Sequence, residues 1–66
     1  MRLNMNEINL IKAERGLNNK DISKLCNISE AWLSKVFNSI RVSPKMVNKL
    51  AKGLNVEVSE ILQKEE

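Results

Sequence analysis

The chain has 66 residues, a single cysteine (Cys26), no histidine and no tyrosine, so one small domain is the largest unit it can form, and an internal disulfide, a zinc site and a histidine general base are all excluded. Eleven Lys and Arg face eight Asp and Glu, a net charge of +3. The imbalance is concentrated: residues 1–54 hold ten cations and four anions, whereas residues 55–66 hold Lys64 against Glu57, Glu60, Glu65 and Glu66. A basic body with an acidic tail fits a surface that meets a polyanion, and it also fits an ordinary solvated surface. No apolar run is long enough to span a membrane or to form the core of a signal peptide, so a cytoplasmic location is expected.

The hydrophobic period is helical throughout, and Gly and Pro are too few for a turn-rich β domain. A first helix is predicted over Asn6–Arg15, with Asn6 as N-cap, Ile8 and Ile11 facing inward and Gly16 as the stop signal. A second is predicted over Asn19–Cys26. Asn18 caps it, Asp21 completes a capping pattern, and Ile22, Leu25 and Cys26 share a face, with Leu25 partly exposed. Asn27 then supplies a residue that tolerates the left-handed conformation. A third helix begins after Ser29 and ends near Asn38. A fourth begins after Ser43 with Pro44 at its first position, buries Val47, Leu50, Ala51 and Leu54, and ends at Gly53. Val56-Glu57-Val58 reads as a loop that inserts two valines, and a short fifth helix starts at Ser59. None of these helices would be stable alone, so they must share one core.

The third helix carries the chemistry. At about 100° per residue, Glu30, Ala31, Ser34, Lys35 and Asn38 fill one arc, and Trp32, Leu33, Val36 and Phe37 fill the other. One arc is an apolar foot. The other is a row of modest side chains of the kind that read base edges in a DNA major groove about 12 Å wide. Lysine donates to guanine, asparagine pairs with adenine, glutamate accepts from cytosine, and an alanine methyl meets a thymine methyl. Any solvated helix face would also carry polar side chains, so the neighbouring residues decide. Ser23 is small enough for a close helix crossing, Asn27 makes the turn, and Ile28 plugs inward.

The run Ile11-Lys12-Ala13-Glu14-Arg15-Gly16-Leu17, then Asn19-Lys20-Asp21-Ile22-Ser23, Asn27-Ile28-Ser29-Glu30 and Trp32-Leu33-Ser34-Lys35-Val36, resembles the helix-turn-helix of the phage-repressor and Cro type, the xenobiotic-response-element regulators. So do Asn38, Arg41, Ser43-Pro44, Leu50-Ala51-Lys52-Gly53-Leu54-Asn55-Val56 and Glu60-Ile61-Leu62. The resemblance implies an all-α, compact five-helix lambda-repressor-like domain over residues 1–66, with the helix-turn-helix at about 19–38. It implies a sequence-specific regulator of transcription that places its third helix in the major groove of double-stranded DNA; the residues themselves offer no catalytic group set, so no enzymatic activity, cofactor or metal is expected. It makes Ser29, Glu30, Ala31, Ser34 and Lys35 base-reading, and Asn19, Lys20, Asn38 and Arg41 phosphate-binding; free amides at a helix N-terminus favour the phosphate contact at Asn19.

Where relatives commonly carry glycine, glutamine and glutamate, this chain has Asn27, Asn19 and Phe37. Phe37 either packs against the fourth helix or joins Ile40 in meeting a partner protein, and that second option defines an alternative function as an antitoxin or anti-regulator. One helix makes few base contacts, so a homodimer acting as a repressor on two half-sites is expected. Its contact is expected in the C-terminal part, about 54–66, through Leu54, Val56, Val58 and Ile61, with Glu65 and Glu66 turned from phosphate. Trp32 is assigned to the apolar foot, and Cys26 to the core as an inert thiol.

Overall fold

A computed structural model describes residues 1–63 and contains five helices: α1 (Met5–Arg15), α2 (Asn19–Cys26), α3 (Glu30–Phe37), α4 (Pro44–Leu54) and α5 (Val58–Ile61). Local chemistry accounts for most of the boundaries. Asn18 and Asp21 form a reciprocal capping box at the start of α2, with bonds of 2.8 and 3.0 Å. Ser29 and Ser43 cap α3 and α4 by accepting from the amides of Trp32 and Met46. Gly16 and Asn27 end α1 and α2 in the left-handed conformation, at φ 64° and 57°.

Two boundaries differ from expectation. Asn4, not Asn6, caps α1, accepting from the Glu7 amide. Both asparagines have the right chemistry, but the Asn4 N–H is held by the Ile61 carbonyl at 2.7 Å, which keeps Asn4 extended just ahead of the helix. Gly53 does not end α4. It lies within the helix, which stops at Leu54 and is closed by left-handed Asn55 at φ 56°. The glycine serves a close approach instead: a β-carbon there would sit 2.4 Å from Cys26 Sγ and 3.0 Å from Cys26 Cα. The fifth helix starts one residue early, at Val58.

α4 lies against α2 and α5, α2 also meets α3, and α1 meets α5. The core joins Ile8 and Ile11 of α1, Ile22 and Cys26 of α2, Leu33 and Val36 of α3, and Val47, Leu50, Ala51 and Leu54 of α4, with Ile61 and Leu3. Leu25 faces outward, 52% exposed. The Arg15 side chain donates to the Leu54 carbonyl, tying the ends of α1 and α4 together. A feature absent from the helical reading ties down the first residues: Leu3 and Leu62 form an isolated antiparallel bridge, Gln63 N–H donates to the Arg2 carbonyl, and Val42 N–H, from the segment between α3 and α4, donates to the Met1 carbonyl.

The core also takes up part of the expected dimer surface. Leu54 and Ile61 are 1% and 0% exposed. Val56 and Val58 are partly buried against the same cluster. The apolar residues that looked surplus are used within one chain. Glu65 and Glu66 lie outside the described residues.

Candidate nucleic-acid interface

α3 is pinned from one side. Leu33 is fully buried and Val36 nearly so, which fixes the rotation of the helix and turns Glu30, Ala31, Ser34 and Lys35 to solvent. Ser29, Ala31, Ser34, Lys35 and Asn38 line one shallow depression together with Trp32 and Ser39. The Ser29 hydroxyl oxygen is committed as an acceptor to the Trp32 amide, at 3.1 Å. Its proton remains available as a donor. Glu30 stands at the first position of α3, where the helix dipole favours a carboxylate.

The far end of α3 is tied off by side chains. Asn38 Nδ2 donates to the Ser34 carbonyl at 2.9 Å, and the Ser39 hydroxyl donates to the Lys35 carbonyl at 2.7 Å. Asn38 thus spends one of its two amide protons on the helix end and keeps the other. Arg41 is exposed in the segment that follows and is not among the residues that line the depression.

At the start of α2 the amides of Asn19 and Lys20 lie in the first turn, where helical geometry gives them no carbonyl partner within the helix. Both residues are exposed. Lys12 of α1 reaches across and donates from Nζ to Asn19 Oδ1 at 2.8 Å. A cation therefore stands beside two free amides and a helix N-terminus, a combination suited to an anion. Sequence reasoning left Lys12 out of the site. Its only signal was a place in the family pattern, because the residue it meets is seven positions away on another helix.

Trp32 departs from its assignment. It is 49% exposed rather than part of the foot, and Lys35 Nζ lies 5.8 Å from the centroid of its ring. Phe37 is half-buried against the core. It lines a second hollow with Leu3, Met5 and Ile40 among others, so the N-terminal segment, which the sequence reading did not place, shares in covering it. Ile40 itself is 73% exposed.

Cys26 is 3% exposed, and its thiol donates to the Leu50 carbonyl across 3.9 Å. Burial pushes the thiol above its ordinary value of 9.0, with the Lys49 charge pulling the other way. A protonated, enclosed thiol is a poor nucleophile. Among the described residues no group of three or more His, Cys, Asp or Glu is placed to hold a metal, and no helix is long and apolar enough to cross a membrane.

A protein-family model described as "Helix-turn-helix" matches residues 8–61. No curated protein and no solved structure matches the chain.

Proposed function

The chain belongs to the Cro and C1-repressor type of helix-turn-helix family, a non-catalytic DNA-binding family, and from that premise we propose that it is a sequence-specific repressor of transcription that binds its operator as a homodimer. α3 enters the major groove. Ser29, Glu30, Ala31, Ser34 and Lys35 meet base edges, and Asn19, Lys20, Asn38 and Arg41 meet phosphates, with Lys12 added to the Asn19 site. The observation that carries this reading is the division of α3. Leu33 and Val36 are locked in the core while Ala31, Ser34 and Lys35 stand exposed in one depression. A helix held this way presents the same side chains at the same angle each time it docks, as base readout demands.

Repression here means occupancy. A dimer on an operator excludes other proteins from that duplex, and two half-sites about 34 Å apart give two chains the affinity that one α3 lacks. Because Leu54 and Ile61 are buried, the dimer contact must come from residues outside the core; Val56 and Val58 are the members of the expected set that keep some exposed surface.

The test is selection from a randomised duplex library, followed by gel shift of the selected duplex at two salt concentrations and by light scattering of the complex. The expected result is a selected site with two-fold symmetry, two chains per site, and affinity that falls steeply with salt. Equal affinity for selected and scrambled duplexes would remove sequence-specific regulation.

One observation favours a second reading, a protein-interaction module such as an antitoxin or anti-regulator on the same scaffold. Ile40 is the most exposed of the large apolar side chains and sits beside half-buried Phe37. That reading is distinguished by weak, non-specific DNA binding in the same assay.

A further inference from the structure

Trp32 lies at the boundary between the two arcs of α3. A single exposed aromatic is ordinary on a soluble protein and means little alone. Here a second observation accompanies it. Lys35, three residues on and therefore on the neighbouring surface of the helix, carries its ammonium to 5.8 Å from the indole centroid, within the reach of a cation–π contact. Both residues line the depression that holds Ser29, Ala31 and Ser34. The backbone carbonyls at that end of α3 are already served by Asn38 and Ser39. The Lys35 side chain is therefore not needed to close its own helix.

A lysine is a point charge on a four-carbon stem with many rotamers. Successive base pairs are stacked closely enough for a free ammonium to choose among several acceptors, and such a lysine attracts DNA more than it reads it. An indole beneath the stem changes that. It favours the rotamers that lay the ammonium over the ring, and it covers one side of the contact from water, where the charge interacts more strongly.

We infer that Trp32 is a positioning residue for base recognition: it holds the Lys35 ammonium over its ring and so fixes which base edge Lys35 meets. The inference rests on the DNA-binding reading above and deepens it. The reading unit is a Trp–Lys pair, and the specificity of Lys35 belongs to both members.

The experiment uses the full chain and the duplex selected from the randomised library, together with single-base-pair variants of that duplex. Wild type, Trp32→Ala, Trp32→Phe, Lys35→Ala and the Trp32→Ala/Lys35→Ala double variant are compared, with thermal melts run on each. Trp32→Ala should weaken binding of the selected duplex about 2- to 5-fold and flatten discrimination at the same base pair that Lys35→Ala flattens. Phenylalanine keeps a π face and should restore most of that discrimination. In the double variant the two losses should not add, since removing the lysine leaves the indole nothing to position. Trp32 is the sole tryptophan, so its emission should shift when duplex is added to wild type.

A loss spread evenly over all duplexes, additive effects in the double variant, or unchanged emission would each overturn the inference while leaving DNA binding intact. Failure of the wild type to select any duplex would overturn both.

Discussion

The contact between α2 and α4 and the outward face of α3 are built on opposite choices. Where α2 meets α4, the packing is close and enclosed: Gly53 leaves no room for a β-carbon against Cys26, and the two helices bury Ile22, Ser23, Leu50 and Ala51 as well. On the face of α3 the side chains are exposed, and they are joined by helix-end hydrogen bonds and one lysine over one indole. The first region cannot change without moving backbone. In the second, Ser29, Asn38 and Ser39 also close the two ends of α3, whereas Ala31, Ser34 and Lys35 have no such duty and can change almost freely as far as folding is concerned. Stability and the proposed recognition therefore rest on largely different residues, and the two regions meet in the core through Leu33 and Val36, the foot of α3.

The strongest attempt to break this separation is Leu33→Ala. Leu33 is fully buried, and truncating such a leucine costs about 2–5 kcal/mol. A domain this small has little stability to spare. A thermal melt should show loss of most of the cooperative transition, and DNA binding should vanish with it. A near-normal melt would mean that α3 is not anchored as described.

Gly53→Ala tests the other region. Alanine gains about 1 kcal/mol of helix propensity over glycine, but here its methyl meets Cys26 Sγ and backbone together. Forced overpacking costs about 1–3 kcal/mol, so the balance should fall on the destabilising side, read as a lower melting temperature. A stabilised variant would show that α2 and α4 have slack between them.

Arg41→Ala and Lys12→Ala sharpen the comparison from the recognition side. Both cations belong to the proposed phosphate contacts, so each should leave the melt nearly unchanged, weaken binding on every sequence alike, and reduce the slope of log affinity against log salt by about one. An unchanged slope would take that residue out of the interface. A base-dependent loss would move it to the reading face.

Much of the fold was legible because its signals are local. Asn18 with Asp21, Ser29, Ser43-Pro44, and the left-handed stops at Gly16 and Asn27 each act within one turn of chain, and the residues expected there are the ones that act. The misreadings share another cause: contacts between distant segments. Asn4 outcompetes Asn6 because the Ile61 carbonyl holds its amide. Gly53 carries the right composition for a helix end, yet it answers to Cys26 on another helix. Leu54 and Ile61 looked surplus until the packing of α4 and α5 used them. At the site, Ala31, Ser34 and Lys35 follow from helical period alone. Trp32 sits where the two arcs meet, and period cannot choose a side for it. Lys12 needed the fold to bring it to Asn19.

The smallest effect expected is one of pH, and it falls on the body rather than on the reading face. Burial raises the Cys26 thiol above 9.0 in the folded chain, with Lys49 opposing, whereas in the unfolded chain the thiol is free of that burial. The fold thus favours the protonated form. Its contribution is complete below 9.0 and is lost as pH rises through the folded-state value, because only the unfolded chain can then shed the proton cheaply. One proton limits the slope to about 1.4 kcal/mol per pH unit. The measurement is the difference between wild type and Cys26→Ala in stability as a function of pH. Above pH 9 the wild type should fall the more steeply, and at neutral pH the two slopes should agree. Parallel curves throughout would mean that the thiol feels water at the α2–α4 contact, and the tight half of the comparison would be looser than the Gly53 geometry implies.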